Sequence, residues 1–508
     1  MLSKLKSLLV SKNKLHLSFD VLFYLFSLFL LCLFSTNYLS NASYVDENGL
    51  LLGSTRTAFD NENSENARRF SDALLKTGSL REAKEVLVRD ILLATTGDDA
   101  SEVTVRPYAL HAVARAKFGD GRESIAIVAP IGCLAAGEND DRIKEEEADA
   151  VALALEMFFY VKSRKVKWLG RDVVLVVPTC FEYLEEGNPV SKIRATGKWL
   201  ETYLEGEEEG EDDNDGRGNG AVTNNKKEDV FFRAGQIHQA FGIETPHGMK
   251  NFEKSKSAMF AKLHGWNGAL PNQDIFEVAK FSSRMGRGTS SGFSVHGTHV
   301  IDAKKTKWEK WVEHTKAWTS FAKLSVVGKP TGVHGAFKVK SIDSFTMVYD
   351  KEKGGEDDEG TKGRDFRIEN YLACGIALET AIRACNNLVE QLHHARFEYV
   401  LIGNDRYVGV AELAGTLGVM LVALGIKTLK AYENEKWMIL SSSSSSWSFQ
   451  EVFSVVKIFT FILLMVVLIA LAYFNVALGL CMATFCVPIC LVMPETREDE
   501  KKKKNKKE

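Results

Sequence analysis

Cysteine is scarce in this chain. Eight occur in 508 residues, and Cys32, Cys481, Cys486 and Cys490 fall inside apolar runs. The other four, Cys133, Cys180, Cys374 and Cys385, are too sparse for a disulfide scaffold, and none forms the C-x-x-C spacing of a zinc or redox site. Stability must therefore come from a large apolar core. An excess of positive charge is also missing: the net charge of −3 excludes a nucleic-acid-binding domain of the ordinary basic kind. The common catalytic signatures fail in turn. There is no G-x-S-x-G elbow. Gly286-Arg287-Gly288 with Gly292 lacks the spacing of a dinucleotide loop, and His296-Gly297-Thr298-His299 lacks the glutamate of a metalloprotease helix. Cys180 has no base beside it in Thr179 or Phe181, and reads as a structural cysteine rather than a nucleophile.

What the chain does have is apolar runs at both ends. Residues 17–38, 408–429, 452–473 and 474–493 each read as a membrane-spanning helix, the last two separated near Tyr473-Phe474-Asn475; a signal peptide cleaved at Ser40-Asn41-Ala42 is the alternative for the first. Lys4, Lys6, Lys12 and Lys14 precede the first, and a basic tail at 494–508 follows the last. Both ends are expected on the cytosolic side, with residues 430–451 forming a cytosolic loop. An even number of crossings then puts residues 40–406 in a secretory lumen or outside the cell. Asn41, in Asn41-Ala42-Ser43, is a candidate N-glycosylation site there. The closing Lys504-Asn505-Lys506-Lys507-Glu508 fits a dilysine retrieval signal of the endoplasmic reticulum.

Between the runs, strand and helix patterns alternate. Ser124 to Pro130 and Asp172 to Pro178 are short continuous apolar runs, as in strands buried on both faces. Glu145 to Lys165 lies between them with a helical stripe, so a βαβ unit and a parallel sheet covered on both faces are predicted. The fold class is therefore α/β, an αβα sandwich, with transmembrane helices added. Further helices are expected at Pro189 to Leu204, Pro271 to Met285, Lys305 to Leu324 and Arg367 to Phe397, and strands around Phe231 to Ile243 and Gly335 to Val348. Residues 205–229 and 351–364 have the composition of disordered insertions.

Two-metal zinc aminopeptidases share this architecture, and need a histidine after one strand, an aspartate early in the next helix, and a glutamate pair after the following strand. Here those positions read Ala129-Pro130-Ile131-Gly132, Asp149, and Pro178-Thr179-Cys180 with no acid before Glu182. A lone carboxylate does not hold two metals, so neither metal nor other cofactor is expected.

Four stretches together are specific. They are Tyr44 to Gly53, Leu263 to Asp274 with its Asn267-Gly268 turn and Pro271, Gly328 to Gly335, and the Leu378-Glu379, Asn386-Asn387-Leu388, Glu390, Leu392-His393 and Phe397 pattern. In this order they resemble the glycosylphosphatidylinositol (GPI) anchor attachment family, the Gaa-type subunit of the GPI transamidase. The resemblance implies an aminopeptidase-like lumenal domain on a non-catalytic subunit of the endoplasmic-reticulum complex. Its partners would be the other subunits, a cysteine-protease-like catalytic one among them, and the GPI glycolipid. Members usually carry more spans after this domain. An active membrane zinc aminopeptidase and a general scaffold or cargo receptor are the alternatives.

Spacing makes further candidates. Asn386, Glu390 and His393 would share one helix face near the membrane, and with Asn387 and Glu412 they are candidate glycolipid or subunit contacts. Asn267, Gly268, Pro271, Asn272 and Asp274 form a candidate structural motif, with Pro271 suited to a first helical position.

Overall fold

The computed structural model describes residues 19–36, 38–54, 56–88, 103–133, 142–163, 165–180, 191–205, 231–244, 259–287, 293–298, 301, 304–349, 366–388, 390, 392, 398–441 and 449–493. Both expected insertions beyond Glu205, the sequence ends with the dilysine pattern, Glu182, His299 and His393 lie outside them.

In chain order the elements are α1 (Phe19–Leu33), β1 (Asn41–Ala42), α2 (Asn61–Leu75), α3 (Leu80–Val86), β2 (Val103–Val105), β3 (Ala109–Ala114), β4 (Glu123–Val128), α4 (Glu145–Lys162), β5 (Asp172–Pro178) and α5 (Lys192–Glu205). There follow β6 (Gln236–Glu244), β7 (Met259–Lys262), α6 (Gln273–Arg287), β8 (Phe293–Val295), α7 (Lys307–Val327), α8 (His334–Val339), β9 (Asp343–Tyr349) and α9 (Phe366–Asn386). Last come β10 (Tyr399–Leu401), β11 (Arg406–Gly409), α10 (Val410–Ser441), α11 (Phe449–Phe474) and α12 (Val476–Val492).

The predicted βαβ unit is present: β4 and β5 pair in parallel, Ile125 opposite Val173 and Ile127 opposite Leu175. They sit inside an eight-stranded sheet of order β2-β3-β5-β4-β6-β9-β7-β8. Side chains alternate between its faces. Ile125, Ile127, Val173 and Leu175 join α4 and α9 in one core, while Ala126, Val128, Val174 and Val176 meet Trp199, Leu200 and Phe337 of α5 and α8 in another. Two faces, each with helices, make the αβα sandwich.

Three expectations need correction. The segment expected as strand from Gly335 is helix α8 up to Val339, and β9 begins only at Asp343, after Ser341 turns the chain at φ 59°. The helix expected to run to Phe397 stops at Asn386, whose side chain leaves the helix path to bind a distant turn. Glu390 lies beyond the helix end, so Asn386 and Glu390 do not share a helix face. Pro271 is not the first helical residue: α6 starts at Gln273, and Asn272 precedes it with its Oδ1 accepting from Asp274 N.

The apolar helices α1, α10, α11 and α12 pack on one another. Val410–Glu433 and Val452–Phe474 are long and apolar enough to cross a bilayer. The described α1, 15 residues, and α12, 17 residues, are shorter than the spans expected at 17–38 and 474–493. At 1.5 Å per residue they reach about 23 and 26 Å, against a hydrocarbon core of about 30 Å. Asp20 of α1 is buried and receives Lys430 of α10 at 2.6 Å. Asp20→Ala would strand that lysine beside the bundle. A loss of about 3 kcal/mol is expected, read as earlier thermal unfolding in detergent, and the exchanged pair Asp20→Lys with Lys430→Asp should recover part of it.

Candidate functional site

The Asn267-Gly268 turn is built as its dipeptide suggests. Asn267 has φ 54° and Gly268 φ 74°, both left-handed, and a methyl group at Gly268 would stand 2.3 Å from the Ser325 carbonyl oxygen. Asn267 N donates to Gly328 O at 2.9 Å, where α7 ends in its own left-handed glycine. The carbonyls of Asn267 and Ser325 both accept from Asn475 Nδ2, at 2.8 and 2.7 Å. Asn475 breaks the apolar hairpin between α11 and α12, and its Oδ1 caps α12 by accepting from Leu478 N at 3.0 Å. One side chain thus fastens the hairpin to the α/β body.

The other signature stretches are bonded to one another or to the segment that holds this turn. Asp274 accepts from the backbone N–H groups of Asp46 and Glu47 at 2.8 and 3.0 Å, and burial pushes its carboxyl up against those bonds. Asn272 N donates to Asp343 Oδ1. Thr331 N and a ring nitrogen of His334 lie against the His264 carbonyl. Asn387 Nδ2 reaches Leu50 O at 3.5 Å, and Glu379 accepts from the N–H groups of Ala58 and Phe59. Sequences far apart in the chain are therefore joined through buried contacts.

Beside the Asn267-Gly268 turn opens a cleft of about 670 Å³, lined in part by Gln236, His238, Lys338, Asp343, Glu398 and Asn475. Its floor is the amino ends of β6 and β9, and its far wall is Phe474 to Ala477 of the apolar hairpin. Lys338 Nζ stands 3.5 Å from Asp343, whose carboxyl is raised by burial. His238 is held below its usual value, first by burial, against the pull of Glu123 4.0 Å away. With Leu270, Val400 and Val476 also on its walls, such a lining suits an amphipathic ligand with a hydroxyl-bearing part.

Open α/β sheets ordinarily bind ligands at the carboxyl ends of their strands. At that edge Cys133 and Cys180 form a disulfide joining the segments after β4 and β5, a pairing that cysteine scarcity did not suggest. Glu147 accepts from the N–H groups of Gly132 and Cys133. Asp149 is engaged by Arg367, Tyr371 and Ser71. At the end of β6, burial pushes the Glu244 carboxyl up, but Lys262 and Lys192 outweigh it and hold it at about 2. Among the described residues, no three His, Cys, Asp or Glu side chains converge closely enough to hold a metal ion.

The remaining sequence candidates are dispersed. Asn386 Oδ1 accepts from Gly170 N and Arg171 N, and its Nδ2 donates to Trp168 O, so its polar atoms serve the turn before β5. Glu412 sits half-buried in the first turn of α10. Asn41 is exposed in β1, which pairs with β11. Asn475, Glu379, His238 and Asp343 were missed as site residues. An asparagine inside a 41-residue apolar run is the one signal that could have marked Asn475.

A family model described as Gaa1-like, GPI transamidase component, matches residues 108–448. Among solved structures, the chain is similar to the LapA aminopeptidase of Legionella pneumophila, at 7% identity and a TM-score of 0.37, over 66% of this chain and 79% of that one. It is also similar to the YXEP protein of Bacillus subtilis, a dinuclear metal-binding peptidase of the M20 family, at 11% identity and a TM-score of 0.29, over 64% of this chain and 99% of that one.

Proposed function

The chain belongs to the Gaa1-like GPI transamidase component family, and we propose that it is a non-catalytic subunit presenting the glycolipid to the catalytic one. It would reside in the endoplasmic-reticulum membrane, cross it four times, and hold the α/β body in the lumen. The lysine distribution at both ends supports that orientation. The other transamidase subunits, a cysteine-protease-like one included, are its partners.

One observation carries the reading: a cleft of mixed polar and apolar lining opens against the hairpin turn at the mouth of the apolar helices. A glycolipid with its chains beside α11 and α12 would place its glycan there. Glu412, at the start of α10, and Glu390 are further proposed contacts at this level. His393 and Asn387 complete the proposed set.

Single substitutions Asn475→Ala and Glu398→Ala should lower anchor attachment in cells at least several-fold while the other subunits still co-purify. Normal attachment by both variants would place the glycolipid elsewhere. Stoichiometric zinc with chelator-sensitive release of amino-terminal residues would instead make the chain a peptidase, and recovery of coat or cargo proteins without a cysteine-protease-like subunit would make it a receptor.

A further inference from the structure

Helix α7 carries a surface that the α/β core does not use. From Lys304 to Lys329 there are seven lysines against Glu309 and Glu313. Trp308 is 69% exposed and stacks on Trp311 at 4.9 Å. A large aromatic left in water beside a run of lysines is costly unless something covers it.

Its position identifies the cover. Trp311 Nε1 donates to the Cys32 carbonyl at 3.1 Å, and Thr315 and Trp318 bind the Ser35 hydroxyl at 2.7 and 3.0 Å, all where α1 ends. Toward the other end of α7, the Ser325 carbonyl accepts from Asn475 at the head of α12. These two points lie at the same end of the apolar bundle, because α1 runs antiparallel to α10 and α12. Asp20 at its start meets Lys430 late in α10, Asn41 beyond its end pairs with Tyr407 just ahead of α10, and Tyr24 meets the Thr484 carbonyl midway along α12. So α7, 21 residues or about 31 Å long, lies across the bundle's end rather than along it. Trp308, Trp311, Thr315 and Trp318 follow three- and four-residue spacing, so the stripe that grips α1 continues outward as the uncovered tryptophan.

We infer that α7 is an interfacial helix seated in the lipid headgroup layer, with Trp308 and Trp311 at the acyl boundary and its lysines on headgroup phosphates. Tryptophan concentrates at this depth because its ring is apolar and its N–H is wet. Lysines reach phosphate while their stems cover apolar surface. The occupant is lipid, and the inference rests on the reading that the apolar helices cross a bilayer. An interfacial α7 would hold the cleft beside Asn475 at headgroup height.

The test uses the full chain reconstituted in phosphatidylcholine vesicles brominated near the headgroup end of the acyl chains. Bromine should quench a blue-shifted part of the tryptophan emission. That part should shrink in Trp308→Phe and vanish in Trp308→Phe with Trp311→Phe. Adding phosphatidylglycerol should deepen the quenching in the native chain and not in Lys304→Glu with Lys307→Glu. Equal quenching of the native and doubly substituted chains, or quenching of the same component by aqueous iodide, would overturn the assignment. Release of the chain from the vesicles by alkaline carbonate would overturn the membrane reading itself, and this inference with it.

Discussion

Lowering the pH from 7 to 5 should strip most of the stability from the α/β body. Among the described residues, His111, His264 and His334 are buried and His296 is half-buried, and all are held neutral: His264 at about 3, and His111, His296 and His334 at about 4, each mainly by desolvation. His111 illustrates the packing, since one ring nitrogen meets the Phe232 carbonyl at 2.7 Å while the other accepts from Trp199 Nε1 at 3.2 Å. That arrangement requires one proton on the ring, and a second has no place. Above about pH 6.5 neither folded nor unfolded histidines are charged and nothing is lost. Below it the unfolded chain takes up protons that the folded chain refuses, so stability falls down to about pH 4. At pH 5 each histidine costs roughly 2 kcal/mol, about 8 kcal/mol together. Glu156 works in the opposite sense: burial raises it to about 7, so acid relieves a strain between pH 7 and 4.5 worth up to roughly 3 kcal/mol. Glu244, held at about 2, gives up its contribution only below about pH 4.5. The net loss of about 5 kcal/mol at pH 5 should lower the melting temperature of the detergent-solubilised protein by roughly 10 °C. An unchanged melting temperature between pH 7 and 5 would show that these rings are solvated.

Replacing Glu379 by alanine should be the most damaging single change in the body. Its carboxylate is fully buried and accepts from Ala58 N and Phe59 N at 2.9 Å, from Tyr160 Oη at 2.7 Å and from Arg383 at 2.7 Å. The Ala58-Phe59 backbone is pinned there because Gly375 lets the Phe59 ring approach α9. A methyl group at Gly375 would stand 2.2 Å from that ring. Alanine at 379 leaves two N–H groups, a phenol and a guanidinium without their acceptor. The expected cost is about 3–5 kcal/mol. Glu379→Gln keeps one acceptor oxygen and should cost about 1–3 kcal/mol. Both are read from denaturant unfolding of the full chain. An alanine variant within about 1 kcal/mol of the native protein would mean the bridge does not hold the segment.

Local patterns carried much of the sheet. The apolar run at Asp172–Pro178 coincides with β5, and the stripe from Glu145 marks α4 to within three residues. These elements are set by side-chain periodicity within themselves. The end of α9 was not legible, because what stops it is the turn at Gly170, 216 residues earlier, receiving the Asn386 side chain. The disulfide was hidden for a related reason. Cys133 and Cys180 are separated by 47 positions, and only the parallel pairing of β4 with β5 brings them together. Asn267, Asn272 and Asp274 were visible as a motif, but their partners Gly328, Asp343 and Asp46 follow from tertiary placement alone.

The small sheet of β1, β11 and β10 has a consequence for how the protein is made. Asn41 pairs with Tyr407, so the first residues after α1 find their strand partner only when the ribosome has added some 366 more. Until then α1 is without α10, while more than three hundred residues are made behind it. Once β11 arrives, entrance and exit of the α/β body close side by side like the neck of a purse. A chain truncated before Arg406 should therefore leave the two ends of that body unpaired, however well its large sheet has formed.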